Sequence, residues 1–503
     1  MSPFPPTLFA GKRFAVAGLG ANGLPAANAL RAMGATVEAW DDSEAARAGA
    51  AGHTLRDFRE GALNFDAMVL SPGIPHILPK PHPIAARAIA AGLPIVSDAE
   101  LLYLAVRLAG SRARFVGITG TNGKSTTTAL LAHVLKQAGR PVAAGGNLGP
   151  ASLALPLLPD DGIYVLEMSS YMLERLDEIR FDAAAMLNLS ADHLDRHGDM
   201  AGYAMAKRAI FGRQTGADLA VIGVEDSWSR AMAAWLDGRP AKVVRVAGAG
   251  AGAGASASAS AGVDADADAD ASAGARAADV RCENGFLRDD IGPILHMANT
   301  LALPGAHNAQ NAAACFAIAS FLGLDRETIA AGIASFPGLP HRQEKIVTVD
   351  GVTFINDSKA TNADSARRAL MCHDKLIWIA GGMGKEGGIV PLAPCFPRIA
   401  HAFLIGRDAP IFAETLRAHG VPFDNLATLD AAVPAAFAAA KRTHTPVVLL
   451  SPATASWDQF KSYEHRGLRF GELARALAAG ALAAGASDTG VLDTPALPKG
   501  DAE

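Results

Sequence analysis

Residues 114–128 read RFVGITGTNGKSTTT. The apolar run Phe115–Ile118 enters a turn holding Gly120 and Gly123. The turn opens into TTTALLAHVLKQAG, whose apolar residues recur at helical spacing. The stretch therefore predicts strand, loop and helix. In the loop Thr119–Thr126, glycines let backbone N–H groups face a polyphosphate, and the helix N-terminus adds a favourable dipole. Lys124 is placed to reach the terminal phosphates and Ser125 to hold Mg²⁺. The generic phosphate-loop pattern asks for Gly where Ile118 stands, and an ordinary Gly-rich turn with a surface lysine is the plainer alternative.

Two further segments repeat the strand-plus-glycine-turn arrangement: RFAVAGLGANG at 13–23 and KLIWIAGGMGKEGG at 375–388. Ala/Leu-rich stretches of helical period separate the strands, which predicts parallel sheets flanked by helices. The 503 residues correspond to roughly three domains. The expected division is 1–112, a Rossmann-like domain; 113–337, a central nucleotide-binding domain; 338–480, a second Rossmann-like domain; and a flexible tail over 481–503. FPGLP at 336–340 marks the second boundary. Within the central domain, 247–279 reads AGAGAGAGASASASAGVDADADADASAGARAAD, too poor in large apolar side chains to offset its ordering entropy, and is expected to be a disordered surface insert. Its DADADAD run lacks the Gly and terminal Glu of a calcium loop.

Composition narrows the function. Half the residues are hydrophobic, and 45 Lys+Arg against 50 Asp+Glu leave a net charge of −5, which supports neither a nucleic-acid binder nor a polybasic membrane protein. Four scattered cysteines without CxxC spacing point to neither a disulfide framework nor a zinc site. With no membrane-length apolar run and no signal-like start, the expectation is a cytoplasmic protein.

Other residues carry less specific signals. Glu167 ends the apolar run IYVLE, where a carboxylate can hold a metal beside phosphates or cap a helix. His193 and His197 are four apart and suit one helix face. Lys207, in YAMAKRAIF, reads by itself as a surface helix lysine. Gly18, Gly20 and Gly23 with Asp41 fit a dinucleotide fingerprint, a weak signal on its own. Ser71 and Gly73, in SPGIP, either touch the same ligand or close a turn.

Taken together, ITGTNGKST, SPGIP (71–75), GNLGP (146–150), LEMSSYMLE (166–174), GLPHRQE (338–344), NDSKATN (356–362) and LSPATASWDQF (450–460) resemble the Mur ligases of peptidoglycan synthesis. The resemblance covers nearly the whole chain except the insert and tail. It is narrowest with members that join D-glutamate to UDP-N-acetylmuramoyl-L-alanine. It implies the three-domain fold, ATP and two Mg²⁺ ions as cofactors, and a monomer acting on small molecules without nucleic acid or membrane. The family's form of the loop explains the missing first glycine.

The same resemblance implies residue roles. Gly120, Thr121, Asn122, Gly123, Lys124, Ser125 and Thr126 would bind ATP phosphates, Asn308 and Asn311 would hold the adenine and neighbouring groups, and Arg342 and Asp357 would come from the third domain toward ATP. Asn22, Asp41, Ser71, Gly73 and Asn147 would hold the UDP substrate. Lys359, Thr361, Lys385, Ser451 and Phe460 would bind D-glutamate. Ser125, Glu167, His193 and a carbamylated Lys207 would hold metal. Lys124, His193, Lys207 and Lys359 would be catalytic, with His193 a base or only a metal ligand. Met172 and Met383 stand where relatives more usually have Gln and Asp, which touches fine substrate contacts.

Three other readings compete. Folylpolyglutamate synthase shares the chemistry but does not account for the first Gly-rich domain and SPGIP. An NAD-dependent oxidoreductase built on 13–41 leaves the phosphate loop unexplained. A non-catalytic nucleotide-binding scaffold leaves no purpose for Lys124, Glu167, His193, Lys207, Arg342 and Lys359 together.

Overall fold

The computed structural model describes residues 2–147, 149–248, 278–384 and 388–487. The chain divides into two compact units, Met1–Pro337 and Gly338–Glu503.

The first unit holds two sheets. Arg13–Ala17, Thr36–Trp40, Thr54–Leu55, Ala67–Leu70 and Ile95–Val96 form an all-parallel sheet with Arg13–Ala17 at its centre. Its central strands read as unbroken apolar runs because helices cover both faces. The helix Asp98–Leu108 then leads to Arg114–Thr119, the first strand of a nine-stranded sheet. There Arg114–Thr119 lies between Ala183–Met186 and Ile163–Glu167, and Val142–Gly146 forms one edge. At the other edge Val280–Glu283, Phe286–Arg288 and Pro293–His296 make an antiparallel meander. One apolar core runs through both sheets, from Phe14 and Val16 to Phe115, Tyr164 and Phe181.

In the second unit the sheet order is Glu344–Val349, Val352–Asn356, Val447–Leu450, Leu376–Gly381, Ile399–Ile405, Phe423–Ala427. Only the Glu344–Val349 edge is antiparallel. Two apolar layers, one around Trp378 and Leu404 and one around Phe354 and Phe470, cover its faces.

The last helix, Tyr463–Ser487, runs seven residues into the stretch expected to be a flexible tail, because ALAAGA is dominated by alanine, the strongest helix former. The expected insert lies outside the described residues from 249 to 277, as does the tail from 488. Among the described residues no helix is long and apolar enough to cross a membrane.

Candidate active site

In parallel α/β sheets, ligands meet the carboxyl ends of the strands. Thr119, Gly146 and Glu167 are the last residues of three neighbouring strands. The loop after Thr119 leads into the helix Lys124–Gln137, as the strand–loop–helix reading expects. Gly123 caps that helix at φ 85°, and a Cβ there would lie 2.4 Å from Asn311 Oδ1. Only glycine meets both demands. Asn311 is thus seated on the phosphate loop, with its amide donating to Asn308 Oδ1 at 3.0 Å. Lys124 Nζ donates to the carbonyls of Gly120 (2.9 Å) and Thr121 (2.8 Å), arching over the loop. Ser125 is buried at the start of the helix.

Three residues that hold this loop were invisible in the sequence. Asn188 Oδ1 accepts from Asn122 N (2.9 Å), and Asn188 Nδ2 donates back to Asn122 O and on to Gln310 Oε1, both at 3.2 Å. Gln310 in turn donates to Glu225 Oε2 at 2.7 Å. Asn188 and Asn122 are 66 positions apart, and no local pattern announces such a pair.

Lys207 is not a surface lysine. It is 1% exposed, and Nζ donates to Gly120 O (2.9 Å) and Thr119 Oγ1 (3.3 Å) while lying 4.7 Å from the Tyr203 ring centroid. Burial first, then the nearby Lys124 charge, pushes its ammonium well below the ordinary lysine range. Glu167 is 2% exposed; its Oε1 accepts from Asn147 Nδ2 at 2.7 Å, and its Oε2 is buried without a hydrogen-bond partner. A buried carboxylate oxygen of this kind suits a cation or a donor from a ligand. Among the described residues no group of three His, Cys, Asp or Glu is arranged to hold a metal.

His193 and His197 both pack against the Tyr171 ring, at centroid distances of 5.1 and 5.8 Å, but differ in exposure. His193 caps the one-turn helix Leu194–His197 at φ 54°, half exposed beside Asp192. Partial burial is the first cause holding its imidazole below its ordinary range. His197 turns inward, with Nδ1 3.0 Å from Glu174 Oε1 and Nε2 2.9 Å from Ser170 Oγ.

A cavity of about 420 Å³ lies at the carboxyl edge of the first sheet. Asn22, Asp41, Ser71, Gly73 and Asn147 all line it, together with Trp40, Asp42 and His82, which sequence reading missed. Gly18, at φ 87°, allows the turn to press against Ser71, whose Oγ donates to Gly18 O at 2.8 Å. Asp41 accepts from Leu19 N (2.6 Å) and Ser43 N (2.8 Å), so its carboxylate closes the turn as well as facing the cavity. His82 Nε2 and Asp42 Oδ2 are 3.0 Å apart on the rim. Asn147 belongs to this cavity and also to the Glu167 pair.

The second unit brings other predicted residues to the carboxyl edge of its own sheet. Asp357 is buried, accepting from Ser451 Oγ (2.8 Å) and Gln343 N (3.2 Å), and burial raises its carboxyl to about 7. Lys359 Nζ donates to Tyr463 Oη at 2.9 Å, and Thr361 N donates to Lys359 O at 2.8 Å. Arg342 adds positive charge near Asp357. Phe460 is half buried and packs edge-on to His465. Lys385 lies outside the described residues. Met172 is fully buried in the apolar core. The backbone N–H of Met383 donates to Ala455 O at 3.0 Å.

Comparison with known proteins identifies relatives of the whole chain. Residues 118–319 match the model of the Mur ligase middle domain. The chain is 49% identical to UDP-N-acetylmuramoylalanine--D-glutamate ligase of Paramagnetospirillum magneticum, over 94% of this chain and 98% of that protein. It is 45% identical to the protein of the same name from Rhodospirillum rubrum, over 93% and 96%. Among solved structures, the UDP-N-acetylmuramate-alanine ligase of Thermotoga maritima shares the fold at TM-score 0.55 and 17% identity, covering 93% of this chain and 99% of that one. A pseudomurein peptide ligase of Methanothermus fervidus does so at TM-score 0.53 and 18% identity, covering 93% and 100%. Near-complete coverage at such identity places the chain in the Mur ligase family, among the UDP-N-acetylmuramoylalanine--D-glutamate ligases.

Proposed function

We propose that the protein forms an amide bond between D-glutamate and the lactoyl-L-alanine carboxylate of UDP-N-acetylmuramoyl-L-alanine at the expense of ATP, a step of peptidoglycan precursor synthesis. The observation that carries this reading is Asn147, which lines the nucleotide-sugar cavity and donates to Glu167 beside the phosphate loop. A sugar nucleotide seated against Asn147 has its acyl end within reach of a phosphoryl donor.

The chemistry needs an electrophilic acyl group. A carboxylate oxygen attacks the γ-phosphorus of ATP, the bond to the bridging oxygen breaks, and ADP leaves. The neutral amine of D-glutamate then attacks the acyl carbon of the acyl phosphate, the tetrahedral intermediate gives one N–H proton to a base, and the bond from that carbon to the phosphate oxygen breaks to release phosphate. Both steps gather negative charge on phosphoryl oxygens, so catalysis is mainly positioning and electrostatic stabilisation. Lys124, already turned toward the loop carbonyls, exchanges those contacts for phosphate oxygens. Lys359, with Thr361 and Ser451, receives the amino acid; Arg342 and Asp357 serve ATP. Gly120–Thr126, Asn308 and Asn311 supply the remaining nucleotide contacts.

Ser125, Glu167, His193 and Lys207 would hold Mg²⁺, which when bound neutralises phosphoryl charge. The unpartnered Glu167 Oε2 fits that role. A free lysine ammonium would repel such an ion, whereas a carbamate supplies the hard oxygens it prefers. The depressed basicity of Lys207 favours the neutral amine that takes up CO₂. The use of ATP and a nucleotide-activated sugar as substrates supports a cytoplasmic location, and the chain is read as a monomer.

The test is phosphate release with ATP, Mg²⁺ and UDP-N-acetylmuramoyl-L-alanine in the presence of D-glutamate, L-glutamate or meso-diaminopimelate. Release and a new amide with D-glutamate are expected; activity only with another amino acid, or none, refutes the reading.

A further inference from the structure

The wall of the nucleotide-sugar cavity formed by Ser71–Ile74 is a loop with few internal bonds of its own, and a buried arginine holds it from behind. Arg175 is 4% exposed. Its Nη1 donates to Leu70 O (2.6 Å) and Ser71 O (3.1 Å), its Nη2 to Ile74 O (2.5 Å), and its Nε to His76 Nδ1 (3.4 Å). These four bonds span the whole turn. Arg175 makes no ion pair among the described residues, and its charge faces the carbonyl dipoles of this loop. Burial first, then the neighbouring Arg196 charge, lowers its guanidinium to about 10. A planar fork with five donors in fixed directions suits three diverging carbonyls, which a single ammonium cannot match.

The other end of the same segment is at the reaction centre. Arg175 follows Glu167 by eight positions, through the short helix Ser170–Leu173. Its neighbour Glu174 is held by Arg196 (3.0 Å) and His197 (3.0 Å), on the turn that begins at His193. The loop on the cavity side is tied to the glycine turn by Ser71 Oγ and Gly18 O.

We propose that Arg175 is a positioning residue that fixes the Ser71–Ile74 wall relative to Glu167, and so sets affinity for the nucleotide-sugar substrate rather than for ATP. This rests on the reading of the cavity as the UDP-substrate site. The experiment compares the full-length wild type with R175M, R175K and R175G in steady-state kinetics, with UDP-N-acetylmuramoyl-L-alanine and ATP varied in turn. R175M is expected to raise KM for the UDP substrate about tenfold or more, with KM for ATP changed less than about twofold. R175K, which retains the charge, is expected to fall between wild type and R175M. Millimolar guanidinium is expected to lower the UDP-substrate KM of R175G but not of wild type.

Equal increases in both KM values, or an unchanged UDP-substrate KM in R175K and R175M, would overturn the role of Arg175. Wild-type protein that hydrolyses ATP but does not saturate with the UDP substrate would instead overturn the cavity reading, and this role with it.

Discussion

Lys207 Nζ donates to the carbonyl oxygen of Gly120 at 2.9 Å, across 87 positions of sequence. A helix lysine is thereby turned into the underside of the phosphate loop, in a setting that disfavours its charge. Lys207→Ala is expected to lower kcat by roughly 10²- to 10³-fold, the scale for losing one preorganised charged group. If the working species is the carbamate, acetate restores part of the rate. Near-normal turnover of the variant in bicarbonate-depleted buffer would exclude the carbamate.

Asn147 ties Glu167 to the cavity at the carboxyl edge of the first sheet. Asn147→Ala removes a donor from a buried carboxylate and is expected to reduce kcat/KM for the UDP substrate by about tenfold, on the scale of a hydrogen bond to a charged group. Asn147→Asp places like charges side by side and is expected to be worse than Ala. Kinetics that rank the two variants in reverse order would contradict the Glu167 contact.

Gly123 combines a left-handed backbone with a neighbour 2.4 Å from its missing Cβ. Gly123→Ala is expected to cost on the order of 1 kcal/mol or more in stability and to raise KM for ATP severalfold. Asn311→Ala in the same chain relieves the collision but not the strained φ, so it recovers only part of the stability loss and none of the loss in KM for ATP. Denaturant unfolding and ATP titration check the two effects separately.

Asp357 holds its proton to about pH 7 in the folded state because it is buried, whereas the unfolded carboxyl releases it near 3.8. Between those values the folded state binds more protons, so this group's contribution to stability falls as pH rises from about 4 to 7. The full swing is on the order of a few kcal/mol. Asp357→Asn is expected to flatten that fall, read as a smaller difference in denaturant midpoint between pH 4.5 and 7.5. An unchanged pH slope would contradict the raised carboxyl.

The three strand-and-glycine segments, the phosphate loop and the family were legible because each is local. A hydrophobic run, a glycine at a positive φ and the start of a helix are written in consecutive residues, as Thr119–Lys124 illustrates. The end of the last helix was missed, since an alanine-rich stretch serves equally as tail or helix until it is continuous with packed turns. What tertiary structure alone decided is which distant polar groups meet. Lys207 and Asn188 reach the loop from later in the chain, and Arg175 reaches a turn 101 to 105 positions earlier. Hydrogen bonds of that kind have no period in sequence. They form because packing the helices removes water from these groups, and a buried polar atom must then find its partner in the fold.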